Sequence, residues 1–208
     1  MQAAGVTGVN LSLDHWDPSA HDRFRCTEGA HSAVVEGLRV ACEVGLATAV
    51  TVTMTPETAD PGFLRRHLEY AGELGASLVR WLEPRAVGRW HRAAVDIPEH
   101  QLRAVLELWT ALNRDHPELP IIDYPDGERH IRGTCLAANE RALFVDARGQ
   151  LHACPFCRDP VANIVHEGLP AGLVRLEQRG CHALPTPGLD VELRLGDVTK
   201  TIDVTVEP

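Results

Sequence analysis

The chain has 208 residues, of which 44% are hydrophobic, and a formal net charge of −9. This length and composition predict one good hydrophobic core, or one core with a small satellite unit, and exclude a disordered chain. The negative charge argues against a nucleic-acid surface, which needs clustered Lys and Arg. No stretch approaches the roughly 20 apolar residues of a membrane span, and residues 1–10 lack the features of a signal peptide. We therefore expect a cytoplasmic protein that binds neither membranes nor nucleic acids.

Strand-like and helical patterns alternate through the first half of the chain. Runs rich in apolar and β-branched residues predict strands at 9–14, 47–55 and 77–84. Apolar residues at helical spacing predict helices at about 31–45, 60–74 and 98–113, with Asp60 as an N-cap. The stretch HWDPSAHD, residues 15–22, is predicted to be a loop because it is rich in turn formers.

This βαβαβα order predicts an α/β fold. Strands separated by single helices run parallel and connect by right-handed crossovers, so residues 1–115 are predicted to form an α/β layer. Three parallel strands make a poor domain, because the sheet edges and one face still need cover. We therefore expect that the sheet continues in another chain, or that the sequence is the C-terminal part of a larger barrel.

Polar residues stand at or near the ends of these predicted strands. They are Ser12, Asp14, Thr53, Thr55 and Glu83. In parallel α/β sheets, ligand-binding groups gather where strands end and loops begin, so these residues are candidates for a binding site. A purely structural role is the alternative: Asp14 would cap the following turn, and the threonines would simply favour the strand conformation.

Residues 115–134 are rich in Pro and Gly and are predicted to be the crossover into a second unit, which begins with a hairpin. Its turn would be formed by residues 146–149, with Asp at the first position and Gly at the last. If Val145 lies opposite Gln150, then Arg141 lies opposite Cys154. A short loop upstream of Arg141 would then bring Cys135 close to Cys154.

Four of the six cysteines could converge in this second unit. Cys154 and Cys157 have the spacing at which one turn directs two sulfurs to one metal centre, and Cys181 follows a helical pattern at 168–180. With Cys135 they form a set of four thiolates, which suits a [4Fe-4S] cluster or a zinc ion. A redox-active pair is a third option, although no helix N-terminus is evident beside the CPFC stretch. His152 and His182 could replace a thiolate or lie in the second shell.

Cys135, Gly149 and Cys154 form the pattern C-x13-G-x4-C. This pattern resembles the opening of the SPASM/twitch auxiliary-cluster domain, which many radical S-adenosylmethionine (radical SAM) enzymes carry. CPFC followed by DPVANI resembles its CP-then-GNI segment, with Ala162 in place of the usual glycine. GVTGVNLSLDHWDPSAHDRFR, TVTMT and VRWLEPRAVGRW resemble the fourth, fifth and sixth strand segments of the radical SAM barrel. The resemblance covers residues 5 to about 182.

The resemblance implies a partial (β/α) barrel of about three βα units followed by a small hairpin-based, Cys-rich domain. It implies an auxiliary [4Fe-4S] cluster on Cys135, Cys154, Cys157 and Cys181. It further implies that Ser12, Asp14, Thr53 and Glu83 lie near bound S-adenosylmethionine, and that the substrate is a peptide or protein.

One motif of the family is missing from this sequence. The C-x3-C-x2-C loop that holds the SAM-cleaving cluster does not occur, since Cys26 and Cys42 cannot supply that spacing. We therefore expect the C-terminal part of an enzyme whose N-terminal half, or a partner chain, initiates the radical. The chain alone is not expected to form a 5′-deoxyadenosyl radical.

The expected units are a partial barrel at 1–115, a SPASM/twitch-like domain at 116–185 and a C-terminal hairpin or tail at 186–208. A non-catalytic module with a four-cysteine zinc site is the rival interpretation, and a poorly folding fragment is a third.

Overall fold

The computed structural model describes residues 2–86, 90, 92–132, 143–156 and 159–179, and these ranges form two sheets with flanking helices. The first sheet has four parallel strands in the order β1-β2-β3-β4: Gly8–Ser12, Ala47–Thr53, Leu78–Leu82 and Ile121–Asp123. Its helices are α1 (Pro18–Arg25), α2 (Ala30–Glu43), α3 (Pro61–Glu73), α4 (Glu99–Asp115) and α5 (Pro125–Arg132). A short 3-10 helix, Gln2–Ala4, precedes β1.

Helices α1 and α3 begin in the same way. An aspartate caps each N-terminus: Asp17 accepts the Ala20 amide at 2.8 Å, and Asp60 accepts the Phe63 amide at 2.9 Å. A proline follows each cap at the first helical position, where its missing N–H costs nothing. These local signals determine where α1 begins after β1 and where α3 begins after β2.

The core lies between the helices and one face of the sheet. Alternate strand residues face this core, as the period of two requires. The fully buried members from the sheet and the residues just after it are Leu13, Val50, Val52, Val79, Trp81 and Tyr124. They pack with helix residues Leu38, Leu64, Leu68, Val105 and Leu106 in one continuous cluster.

The opposite face of the sheet carries a polar row. The strand register aligns Ser12 with Thr51, Thr51 with Arg80, and Arg80 with Asp123. Arg80 Nε donates to Asp123 Oδ2 at 2.5 Å, and the Thr51 hydroxyl donates to Asn10 Oδ1 at 2.9 Å. This open face is therefore polar close to the carboxyl ends of the strands.

The second sheet is small and antiparallel, in the order β5-β6-β7: Phe144–Val145, Gln150–His152 and Ala162–Asn163. Two helices follow it, α6 (Ile164–Glu167) and α7 (Leu169–Arg179). Gly172 of α7 is buried against the Leu151 side chain, and a Cβ at this position would lie 2.8 Å from Leu151 Cδ2. The helical pattern expected after the CPFC stretch is thus confirmed as α7.

The hairpin forms where the sequence predicts it, but its register differs by one residue. Val145 pairs with Leu151, not with Gln150. Gly149 takes φ +76°, and the Asp146 amide donates to the Gln150 carbonyl at 3.0 Å. Asp146 and Gln150 therefore face each other across a three-residue loop, 147–149, which ends in a left-handed glycine, as is common in hairpins of this length. The prediction for Arg141 lies outside the described residues.

The parallel α/β fold is confirmed, with four strands instead of the expected three. One segment was predicted wrongly, because the expected loop at 15–22 contains most of α1. The segment at 115–134, expected to be the crossover into a second unit, contains β4 and α5. These three elements are too short to show a clear periodicity, and they are stabilised by tertiary contacts instead. The tail at 186–208 lies outside the described residues. Among the helices described, none is both long and apolar enough to cross a membrane.

Candidate functional site

Asp14 follows β1 and holds three elements together. Its Oδ1 accepts the Thr53 amide at 3.1 Å, and its Oδ2 accepts Arg25 Nε at 2.5 Å. Its own amide donates to His21 Nδ1 at 3.1 Å. The side chain is 4% exposed, so both carboxylate oxygens are committed to joining β1, β2 and α1. Burial lowers the pKa of His21, and the neighbouring Asp14 opposes that shift.

Ser12 and Thr53 lie near Asp14 but differ in exposure. Ser12 ends β1 and is exposed, whereas Thr53 ends β2 and is half-buried. Thr55 lies in the loop after β2, where its amide donates to the Thr58 hydroxyl at 2.8 Å. Of the four residues expected near a cofactor, Ser12 and Thr53 are thus the more accessible.

Glu83 follows β3 and is the centre of a buried charge network. Tyr124 donates its hydroxyl to Glu83 Oε1 at 2.6 Å, and His130 Nε2 lies 2.6 Å from the same oxygen. Arg129 donates to Glu83 Oε2 at 3.2 Å, and Arg85 lies 3.5 Å from it. The Glu83 side chain is only 7% exposed.

Asp126 is the second carboxylate of this network. It pairs with Arg85, accepts Arg129 Nε at 3.4 Å and accepts the Glu83 amide at 3.4 Å. Two arginines thus face two carboxylates, which compensates charges that would be costly to bury alone. We call the six residues Glu83, Arg85, Tyr124, Asp126, Arg129 and His130 the Glu83 network.

The network shifts the pKa values of its members in different directions. Burial acts to raise the pKa of Glu83, but hydrogen bonds from His130 and Tyr124 outweigh it, so this pKa is lowered. Burial and the charge of Glu83 raise the pKa of Asp126. The same two causes raise the pKa of Tyr124, which keeps its proton for the bond to Glu83.

His67 of α3 also contacts the end of β1. It is fully buried, and its Nε2 lies 2.7 Å from the Leu13 carbonyl, which can only accept a hydrogen bond. Nε2 therefore carries the proton, while Nδ1 is buried without a hydrogen-bond partner among the described residues. Burial lowers the pKa of His67 to about 4, so the ring is neutral at physiological pH.

The structure describes one of the four predicted metal ligands. Cys154 follows β6, is half-buried and is not in a disulfide. Cys135, Cys157 and Cys181 lie outside the described residues, as does His182. Within the described ranges, no three His, Cys, Asp or Glu side chains converge as a metal site. His152 lies 3.7 Å from Asp146, and its Nδ1 has no hydrogen-bond partner in the described part of the chain.

Comparison with solved structures finds the same fold at low sequence identity. The chain is 12% identical to Streptococcus suis SuiB bound to S-adenosylmethionine, with a TM-score of 0.57 over 77% of this chain and 40% of SuiB. SuiB bound to its precursor peptide SuiA gives a TM-score of 0.52 at 12% identity, over 77% of this chain and 37% of SuiB. Native anSMEcpe with bound AdoMet and the Kp18Cys peptide is 14% identical, with a TM-score of 0.58 over 92% of this chain and 64% of anSMEcpe.

The fold is similar to that of radical SAM enzymes. The chain spans less than two thirds of the length of these structural neighbours. No protein-family model matches the sequence, and no curated protein matches it.

Sequence reasoning found Glu83 but missed four of its partners. These partners, Tyr124, Asp126, Arg129 and His130, lie in the segment that was expected to be the crossover into a second unit. Only a weak signal was present in the sequence: β4 contains two apolar residues, and Pro125 opens an eight-residue stretch in which 126, 129 and 130 share one helical face.

Proposed function

We propose that this chain belongs to a radical SAM enzyme and supplies part of its barrel together with an auxiliary [4Fe-4S] cluster. The fold similarity to SuiB and anSMEcpe is the observation that carries the proposal. The cysteine pattern adds to it, because four thiolates are the usual ligands of such a cluster. In this proposal the boundary between the two units follows α5, and the protein works in the cytoplasm, where thiols stay reduced.

The proposed ligands are Cys135, Cys154, Cys157 and Cys181. The one ligand that the structure describes fits this role, since Cys154 is a free, half-buried cysteine two residues after β6. When bound, the cluster would supply one-electron chemistry or an anchoring point for substrate. The chain's own contribution is to hold the thiolates in place through β5, β6 and α7.

S-adenosylmethionine would bind at the carboxyl ends of the parallel strands. Ser12 and Thr53 are accessible enough to contact it directly. Asp14 and Glu83 have their oxygens committed to internal hydrogen bonds, so we propose that they shape this edge of the sheet. In this proposal Asp14 and Glu83 support the binding site and do not contact S-adenosylmethionine directly.

We propose a peptide substrate, because the SuiB and anSMEcpe structures include bound peptides. The open sheet face offers a suitable surface. The exposed Ser12 and the partly exposed pair of Arg80 with Asp123 present hydroxyl, cationic and anionic groups that can bind peptide backbone and polar side chains.

Radical initiation would depend on a SAM-cleaving cluster that this sequence does not encode. The printed 208 residues contain no C-x3-C-x2-C stretch. In the proposal this cluster comes from an N-terminal half or from a partner chain. The rival function is a non-catalytic module that holds zinc on the same four cysteines, because four thiolates suit a zinc ion as well as a cluster.

Anaerobic purification followed by metal analysis separates the two functions. An auxiliary cluster predicts a brown protein that contains iron and acid-labile sulfide, with broad visible absorption that is lost in air. A zinc module predicts a colourless protein with about one zinc per chain that is stable in air. Neither iron nor zinc in a folded, monodisperse protein would contradict both functions.

A further inference from the structure

An open cleft lies between the loop after β1 and the solvent-facing side of α3. Its volume is about 480 Å³, and it is lined by Trp16, Arg66, Glu69, Tyr70 and Glu73. The four α3 residues recur at helical spacing, so they form one stripe on the helix surface. Trp16 follows β1 by four residues, which places this end of the cleft beside the carboxyl edge of the sheet. The cleft therefore leads away from that edge along α3.

Other side chains hold the aromatic walls of this cleft in place. The Trp16 ring packs against His15 and Phe63, with distances between ring centres of 4.3 Å and 4.8 Å. The Tyr70 hydroxyl lies 3.3 Å from Nε2 of the buried His31, within hydrogen-bonding distance. Both wall residues are half-buried, so each presents part of its ring to the cleft. Aromatic walls of this kind dock extended, proline-rich peptide segments, which lose little entropy on binding.

The two ends of the cleft carry opposite charges. The Arg66 guanidinium carbon lies 4.7 Å from the centre of the Trp16 ring, a cation–π contact that orients the group and leaves its charge unpaired. Glu73 is exposed, and no cation lies within ion-pair distance of it in the described part of the chain. Glu69 differs, because it pairs with Arg65 at 3.0 Å. One free cation and one free anion thus remain for a ligand.

The spacing of these two charges limits the ligand. Arg66 and Glu73 are seven residues apart, which is about 10.5 Å along the helix axis. Tyr70 lies between them, and burial together with the charge of Glu73 raises its pKa. In a polyproline II peptide, side chains three residues apart lie on the same side, at a separation of about 9 Å. An acidic and a basic residue at that spacing therefore match the two ends of the cleft.

We propose that this cleft is a docking site for a segment of the peptide substrate in which an acidic and a basic residue stand three positions apart. The acidic side chain binds Arg66, the basic side chain binds Glu73, and the backbone between them packs on Trp16 and Tyr70. This inference rests on the proposed function, because it names a segment of the proposed peptide substrate. The cleft is separate from the open sheet face, so docking and reaction involve different parts of the peptide.

The test measures the binding of three synthetic peptides to the full chain. The mixed peptide is acetyl-Glu-Pro-Pro-Lys-amide, and the two like-charged peptides carry Glu at both ends or Lys at both ends. The indole N–H signal of Trp16 in the NMR spectrum reports binding, and Trp16→Phe assigns that signal. Wild type is expected to bind the mixed peptide with a dissociation constant on the order of 1 mM, and each like-charged peptide about threefold more weakly.

Two charge-reversal variants should change these preferences in opposite directions. Arg66→Glu leaves only carboxylates for the ligand, so it is expected to bind the Lys peptide about threefold more tightly than the mixed peptide. Glu73→Arg leaves cations at both ends, so it should prefer the Glu peptide by a similar factor. Such a switch of preference cannot result from loss of folding. Arg114→Glu, at an exposed position on α4, is the matched control and should keep the wild-type order.

Two results would overturn the inference. One is wild type that binds none of the three peptides, or binds all three equally. The other is the wild-type order of preference in both charge-reversal variants. Either result would leave the proposed cluster standing, because iron content does not depend on this cleft. A wild-type chain that binds the mixed peptide but takes up no iron would contradict the proposed enzyme instead.

Discussion

Protonation of His67 is expected to destabilise the fold in mild acid. The ring is fully buried between α3 and the end of β1, where its Nε2–H serves the Leu13 carbonyl. Folding lowers its pKa from 6.5 to about 4, because burial disfavours the charged ring. Above pH 6.5 the ring is neutral in both states, so its full contribution to stability is present there.

The size of the effect follows from proton linkage. As the pH falls below 6.5, the unfolded chain binds a proton that the folded chain does not, so the free energy of unfolding falls until the pH nears 4. At about pH 5 the loss amounts to roughly 2 kcal/mol, and it levels off at about 3 kcal/mol below pH 4. A loss of this size is a large fraction of the stability of an ordinary domain.

The assay is urea unfolding of wild-type and His67→Gln at about pH 7.5 and about pH 5. The glutamine side chain would retain an N–H donor but would not titrate, so the variant is expected to lose about 2 kcal/mol less than wild type over this interval. His100→Gln, at an exposed position on α4, is the matched control and is expected to behave as wild type. If His67→Gln shows the same pH dependence as wild type, the described environment of His67 is wrong.

Five further substitutions, in three comparisons, test the local arguments by urea unfolding near neutral pH. Glu83→Gln is expected to lower the free energy of unfolding by about 3 kcal/mol, because it leaves buried cations without their partner. Asp123→Asn, at the partly exposed pair with Arg80, should lower it by less than about 1 kcal/mol. Equal losses in the two variants would contradict the buried network. Gly75→Ala is expected to lower the free energy of unfolding by about 1–2 kcal/mol, because Gly75 has φ +89°. The new Cβ would also lie 2.7 Å from the Cys42 sulfur, so Cys42→Ala in the same chain should recover part of this loss. No recovery would refute the clash. Asp60→Ala should cost about 1 kcal/mol through loss of the α3 cap, and a neutral result would contradict the capping bond.

The sequence alone was sufficient to predict the long helices and strands of the fold. Helices α2, α3 and α4 have 13 to 17 residues each with a clear apolar face, and β2 is dense in β-branched residues. Strand β4 has only three residues, and α5 has only eight, most of them polar. Neither is long enough for a pattern of apolar residues to identify it. Their existence depends on pairing with β3 and on the ion pairs of the Glu83 network, which are tertiary effects.

The sequence predicts where the polar residues of the candidate site lie, but not which side chains they contact. The rule that ligands gather at the ends of parallel strands selects Asp14 and Glu83, and both residues lie just after strands of the sheet. The rule does not reveal that Arg25 binds the Asp14 carboxylate or that His130 binds the Glu83 carboxylate. These contacts join residues that are 11 and 47 positions apart in sequence. The predicted hairpin register was wrong for a local reason: the left-handed Gly149 ends a three-residue loop across which Asp146 and Gln150 pair.

The most direct test of the central claim is iron and sulfide content after anaerobic reconstitution of wild type and the four single variants of Cys135, Cys154, Cys157 and Cys181 to alanine. We predict about four irons and four sulfides per wild-type chain and a clear loss of cluster in each variant. Cys42→Ala, on α2, serves as the control and should reconstitute as wild type. Full iron content in Cys154→Ala, or stoichiometric zinc with no iron in wild type, would contradict the claim.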